Sequence, residues 1–405
     1  MSLLRVLALP LALLSAPALA ATGSAADGLQ AMRETNLIVL GDWHADSDVE
    51  GKVVVGGNAS GGSASVGIGN GSQGAASSAS PTVTIAGDNT IGNLNVNDGS
   101  NGGNGTVAGA PAVAIGGDSG RLNLNQHGTG ASAVVGGDLA GDVNVGAGVT
   151  LSVGGNLDGN LNGSTGGVAR IGGQVNGAVN GNGASITQNL GIGFNNAQAD
   201  IAARTTQMAA DVTALSDLLA GLTLDANPSS VTANGGTLVL NAVDNGAGYA
   251  LFNIDSSLFA SYGSIDYQFA SDDLPVIINV TGDPSVIFSL NAVGGATSDA
   301  NQQVIWNFVD ATDLSFETMI HGSVLATDAT VTNWNAIEGT LVAAQFNQHG
   351  EVHLGTYDGG DGFLTPPSGV PEPASWAMMI AGLGLVGATL RRRPGATRTG
   401  GARIA

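Results

Sequence analysis

One short phrase recurs through the first half of the chain and leaves few folds open: an apolar pair, Gly-Gly or Ala-Gly, then Asn or Asp. It reads Val54-Val55-Gly56-Gly57-Asn58, Thr84-Ile85-Ala86-Gly87-Asp88 and Ala114-Ile115-Gly116-Gly117-Asp118. It returns as Val134-Val135-Gly136-Gly137-Asp138, Ser152-Val153-Gly154-Gly155-Asn156 and Arg170-Ile171-Gly172-Gly173. From Ile115 onward the spacing settles to roughly 18 to 20 residues, near the length of one β-solenoid coil. A second strand follows in each unit, as in Leu122-Asn123-Leu124-Asn125, Val143-Asn144-Val145 and Leu157 to Leu161. Its period of two sends Val and Leu to one face and Asn to the other. The glycines after each strand are expected to supply the positive φ of a corner. Stacking then buries what no single coil could bury alone.

The rhythm changes between Ala197 and Leu222. Ile201, Thr205, Met208, Val212, Leu215, Leu219 and Leu222 fall at steps of three and four, the stripe of one helix laid along the solenoid. Asn195 or Asn196 is placed to cap its start, and Gly221 lies near its end. Short β-branched strands resume at Thr237–Val243, Ala250–Ile254, Val276–Val280, Val286–Leu290, Val304–Phe308, Ser323–Ala326, Gly339–Ala344 and Glu351–Leu354. Ser60 to Ser80, almost all Gly, Ala, Ser, Asn and Val, reads as a mobile loop or irregular coil. The fold class is therefore mostly β: a β-solenoid with one long α-helix packed alongside, a signal helix before it and a short transmembrane helix after it.

Composition bounds the partners. The chain has 65 glycines, no cysteine and a formal charge of −21. Between its ends the only basic side chains are Arg33, Lys52, Arg121, Arg170 and Arg204. That sign is wrong for nucleic acid or an anionic lipid surface. Without cysteine there is neither a disulfide framework nor a zinc–thiolate site, so packing and backbone hydrogen bonds must hold the fold.

The ends carry an address. Arg5, the apolar run Val6–Leu14 and the small residues Ala18 and Ala20 make a secretory signal, with cleavage expected after Ala20 by signal peptidase. At the other end, Pro371-Glu372-Pro373 precedes an apolar stretch, 374–390, and then Arg391-Arg392-Arg393. That stretch is near the lower limit of a spanning helix, and the arginines would hold its end in the cytoplasm. The order of these features resembles the PEP-CTERM sorting signal. The resemblance implies a transient inner-membrane anchor, cut near Pro371–Pro373 by an exosortase, and delivery to the cell surface or extracellular matrix of a Gram-negative bacterium. The expected division is a signal peptide (1–20), the solenoid domain (21–365, helix about 197–222), a linker (366–370), the sorting signal (371–395) and a cytoplasmic tail (396–405).

Two further blocks, Asn36 to Asp42 continuing through Ser47–Lys52 to Asn58, and Val304–Thr312 with Ile320–Ala326 and Ile337–Ala343, resemble the choice-of-anchor A family. That resemblance runs from about Gly28 to Gly360 and implies an adhesin-like domain. One departure is Leu325-Ala326-Thr327, where the family's turn has a proline, so this corner is expected to differ. The second half is also distantly similar to ice-binding β-solenoids, which supports architecture more than activity.

Chemistry is sparse. Asp42, His44, Asp46, Asp48 and Glu50 alternate, and one extended strand would put all of them on one face, where clustered oxygens suit calcium. Asp46-x-Asp48-x-Glu50-Gly51 opens like an EF-hand loop, but its twelfth position is Gly57 rather than Glu. A solvated acidic turn explains the same residues. His44, His127, His321, His349 and His353 stand in no catalytic motif, and Asp272-Asp273 becomes half of a glycosidase pair only if a second carboxylate faces it. Thr82-Val83-Thr84 and Thr330-Val331-Thr332 are isolated, whereas ice binding asks for a regular Thr ladder. The sequence thus points to a non-enzymatic surface module, with no catalytic or cofactor-binding residue, whose stacked Asn and Asp rows could meet polysaccharide. A carbohydrate-active β-helix enzyme and an ice-binding protein are the alternatives.

Overall fold

The computed structural model describes residues 21–69, 73–97, 111–125, 132–223, 228–271 and 273–364. Ala18, Ala20, His127, Asp272, Pro371–Pro373 and Arg391–Arg393 lie outside them.

The described residues form a parallel β-solenoid with three faces, and its coils are not stacked in chain order. On the first face the strand Leu37–Val39 pairs with Val53–Val55 on one side and with Leu341–Ala343 on the other. From Leu37–Val39 the chain winds outward through Val83–Ile85, Val113–Ile115, Ser132–Val135, Thr150–Val153 and Val168–Ile171 to Ser185–Thr187. It then restarts at the opposite end. From Ala250–Asp255 it winds back through Val276–Thr281, Val304–Phe308 and Ser323–Asn333 until Leu341–Gln348 docks on the first coil. Two half-solenoids are joined at the middle by strands some 300 residues apart.

Helices α1 (Ala25–Glu34) and α2 (Ala197–Ala220) make this topology feasible. The 24 residues of α2 span about 36 Å at 1.5 Å per residue. The pairings put eight inter-strand steps between Ser132–Val135 and Val276–Thr281, about 38 Å at ~4.8 Å each. The helix is therefore as long as the return journey, and it touches strands at both ends of it. Its start is set by Asn195, whose Oδ1 accepts from Ala197 N and whose Nδ2 donates to Val135 O. Asn196 takes a left-handed backbone without a side-chain cap. At the far end Asn307 and Asn279, both buried, donate to the carbonyls of Ser216 and Leu219. Between these anchors Val212, Leu215 and Leu219 pack with Leu29 and Met32 of α1 on the outward residues Ile38, Val342, Leu325, Ile305, Ile277 and Leu251. A fully buried aliphatic side chain contributes about 1.5–3 kcal/mol, so this seam outweighs the weak propensity of a Thr- and Asp-containing helix.

The solenoid interior is graded. Apart from Trp43, the N-terminal half is filled by Val, Leu, Ile and Ala, and the C-terminal half holds Phe259, Phe288, Trp306, Phe308 and Phe316 in edge-to-face and stacked contacts. Two expectations are corrected. Ser60 to Ser80 is not simply a loop, because Ala59–Gly61 and Ser63–Val66 are strands with partners on neighbouring coils. The Gly-Gly residues of the repeat do not carry positive φ; left-handed glycines sit at other corners, such as Gly61, Gly141, Gly322 and Gly339. Around Leu325-Ala326-Thr327 the chain stays in one long strand, with a register shift between Ala326 and Thr330. Among the described residues no helix is long and apolar enough to cross a membrane; the expected span 374–390 lies outside them.

Candidate functional site

The recurring Asn or Asp builds the scaffold of the site. At the corner after the first face, the side-chain oxygen of each one accepts the backbone N–H of its equivalent on the next coil. Asp42 accepts from Asn58, Asn58 from Asp88, Asp88 from Asp118, Asp118 from Asp138, Asp138 from Asn156 and Asn156 from Gln174, at 2.6–3.1 Å. This ladder explains the glycine before it. A Cβ on Gly57, Gly87, Gly117, Gly137, Gly155 or Gly173 would lie 2.0–2.3 Å from the oxygen below. Close approach, not turn geometry, excludes every other residue there.

The same corner dissolves the supposed cation cluster. The strand there is only Trp43–Ala45, with Trp43 and Ala45 inward and His44 outward. The chain turns corners before and after it, so the five residues do not share a face. Asp42 is in the ladder, Asp46 accepts from Gly62 N, Asp48 from Ser65 N and Glu50 from Leu354 N. The Gly62 N–H holds the Asp46 carboxyl below its ordinary range. Among the described residues no three His, Asp or Glu converge as a metal site. His349 and His353 are likewise separated. His353 lies between Glu338 (2.7 Å) and Glu351 (2.8 Å), and the Glu338 bond above all, with Glu351 aiding and burial opposing, pushes its imidazole up to about 9. His321 donates to Asn301, and burial lowers its pKa.

The third face carries the feature that sequence periodicity missed. Its strands Ser63–Val66, Asn93–Asn97 and Leu122–Asn125 form one ladder, and Val143–Val145, Leu161–Gly163 and Val179–Asn180 form another. No pairing joins Leu122–Asn125 to Val143–Val145. Between them opens a groove of about 500 Å³ lined by Asn95, Arg121, Leu122, Asn123, Leu124, Asp142, Val143, Asn144 and Asn162. Leu122 and Val143 turn their side chains inward, as the period-two pattern demands, which leaves amides at the rim. Asn123 donates to Asn93 and Asn95, and Asn180 donates to Asn162, so the amide rows are oriented by their neighbours. Among the described lining residues Asp142 is the one carboxylate, held below the usual carboxylate range first by the Asn160 N–H.

A search of curated proteins finds no match. Among solved structures, an ice binding protein from an Antarctic bacterium, Flavobacteriaceae, aligns over 81% of this chain and 83% of its own, at 14% identity and a TM-score of 0.24. The PEP-CTERM protein-sorting motif matches residues 369–393 and marks an exported cell-surface protein. An ice-binding-like adhesive domain matches residues 28–137 and 112–354, the span of both half-solenoids and the returning helix. The chain belongs to that ice-binding-like adhesive domain family.

Proposed function

We propose that this protein is a non-enzymatic adhesin of the cell surface or extracellular matrix, and that it holds polysaccharide in the amide-lined groove of its third face. The observation that carries the reading is the break between Leu122–Asn125 and Val143–Val145, rimmed by Asn95, Asn123, Asn144 and Asn162. Each amide offers two donors and an acceptor, matching the mixed donor and acceptor character of sugar hydroxyls. A polymer that fills the groove can continue along the Asn162–Asn180 row, where weak contacts add by avidity. The net charge of −21 disfavours polyanionic ligands. A hydrolase would need a second carboxyl opposite Asp142, and none stands among the described residues of the groove's lining.

In this reading signal peptidase releases the chain after Ala20, and an exosortase-type enzyme cuts near Pro371-Glu372-Pro373, leaving Arg391–Arg393 behind. A glycan array tests the binding step with the exported protein and an Asn123→Ala/Asn144→Ala variant. Binding to neutral glycans that falls about tenfold or more in the variant is expected. An array with no signal, together with unchanged surface attachment and biofilm in a deletion strain, would discard the proposal.

A further inference from the structure

Trp334 sits where a solenoid has no reason to place an indole. It follows the strand Ser323–Asn333 at a corner and is 57% exposed, whereas Trp43 and Trp306 are fully buried. One ring face stacks on His349 of the next coil, with centroids 4.4 Å apart and planes 13° from parallel. The rest of the ring faces solvent.

The backbone that carries the ring is pinned to its neighbours. Trp334 N donates to Phe316 O at 2.9 Å. Asn333, wholly buried, accepts from the backbone N–H groups of His349 and Gly350 and donates to Asn335 O. A Cβ on Gly350 would come 2.4 Å from Asn335 O, so the two corners are pressed together and cannot drift apart. Beside the stack lies Asp46, 39% exposed, with His349 Nδ1 at 3.9 Å and His44 Nε2 at 3.2 Å. The backbone N–H of Gly62 takes the other oxygen, Oδ1, leaving Oδ2 toward the imidazoles and solvent. Asn347 and His44 stand opposite each other on the same outward row.

From this geometry we infer that Trp334, His349 and Asp46 form a second saccharide site, which takes a neutral or amino pyranose. The apolar C–H face of the sugar lies on the open indole, and its hydroxyl or ammonium substituents reach the Asp46 carboxylate and the flanking polar groups. The inference rests on the adhesive reading and names its ligand class at a place distinct from the groove. An aromatic anchor already stacked on His349 before binding loses little entropy on contact. An ammonium substituent that extends past the ring edge toward Asp46 gains the carboxylate's attraction, so glucosamine units should bind more tightly than glucose units. Uronates bring like charge to Asp46 and are rejected.

The exported protein, purified from the producing cells, is titrated with glucose, glucosamine and uronate hexamers of 1,4-linkage and followed by indole fluorescence and calorimetry. The expected order is glucosamine, then glucose, with no response to the uronate. Trp334→Ala should weaken glucosamine binding at least tenfold with an unchanged thermal midpoint, while Trp334→Phe restores part of it. Asp46→Asn, which keeps the acceptor for Gly62 N–H, should weaken glucosamine binding about fivefold and glucose binding less. Wild-type affinity in Trp334→Ala, equal binding of the uronate, or no response of the wild-type protein to any hexamer overturns the inference. If Trp334→Ala binds normally while Asn123→Ala/Asn144→Ala does not, the platform falls and the groove stands.

Discussion

Replacing Gly137 by Ala tests the physical reading of the repeat. Its new Cβ would sit 2.0 Å from Asp118 Oδ1 and 2.9 Å from the carbonyl carbon of Gly117. To relieve the first contact Asp118 must swing away, losing its 2.7 Å bond from Asp138 N. That bond is solvent-exposed, so its loss costs about 1 kcal/mol rather than the larger value of a buried charged pair. The backbone contact remains and forces the two coils apart, a strain of about 1–3 kcal/mol. Gly137→Ala should therefore destabilise by about 2–4 kcal/mol, and Asp118→Ala by about 1 kcal/mol. In the double variant the side-chain clash is already gone, so the effects should fall short of their sum by about 1 kcal/mol. Urea unfolding followed by circular dichroism, with amide exchange in the flanking coils, reads all three. A Gly137→Ala protein within ~0.5 kcal/mol of wild type, or a cycle additive within ~0.3 kcal/mol, would refute close approach as the cause. Backbone strain at a positive-φ position would be indifferent to Asp118.

Three other outcomes follow from the same structure. His353 binds its proton more tightly folded than unfolded, so its contribution is complete below pH ~6.5 and lost as pH rises through about 9. Lys52, whose pKa burial lowers to about 8, runs the other way and adds stability between about 8 and 10.5. Urea midpoints across pH 6–9 should fall in wild type and flatten in His353→Gln; an identical slope in both would rule the histidine out. Leu215→Ala empties a fully buried position between α2 and the sheet and should cost about 2–5 kcal/mol, with earlier proteolysis around α2; a thermal midpoint within a degree or so of wild type would contradict the seam. The outward row Ile287, Ser315, Thr332, Asn347, His44, Ser60 is chemically mixed, not a Thr ladder. Inhibition of ice recrystallisation is therefore not expected, and its observation, abolished by Thr332→Ala, would move the functional reading to ice.

The periodic parts of the fold were legible because their signals are local. Val153 and Ile171 at fixed spacing, and Ile201 through Leu219 at steps of three and four, name coil and helix without any tertiary knowledge. The meeting of Leu37–Val39 with Leu341–Ala343 was not legible, since nothing within a short window says which two edges of a repeat join across the chain. The acidic run Asp42–Glu50 left a cation cluster and a solvated turn both open for a related reason: alternation implies one face only while the chain stays straight, and here it turns corners. The groove was hidden in what Leu122–Asn125 and Val143–Val145 share. Both show the same pattern, and only their failure to pair opens the site. Trp334 left a faint signal, an aromatic between two asparagines where a turn was due, which counts only once its ring is seen outside the core.

Retention of the exported protein on purified neutral exopolysaccharide, measured from about 50 to 500 mM salt, tests the adhesive reading most directly. Recognition by neutral amides and an indole predicts saturable binding that changes by less than about twofold across this range, because few counterions are displaced. No retention, or retention that disappears as salt screens charge, would contradict it.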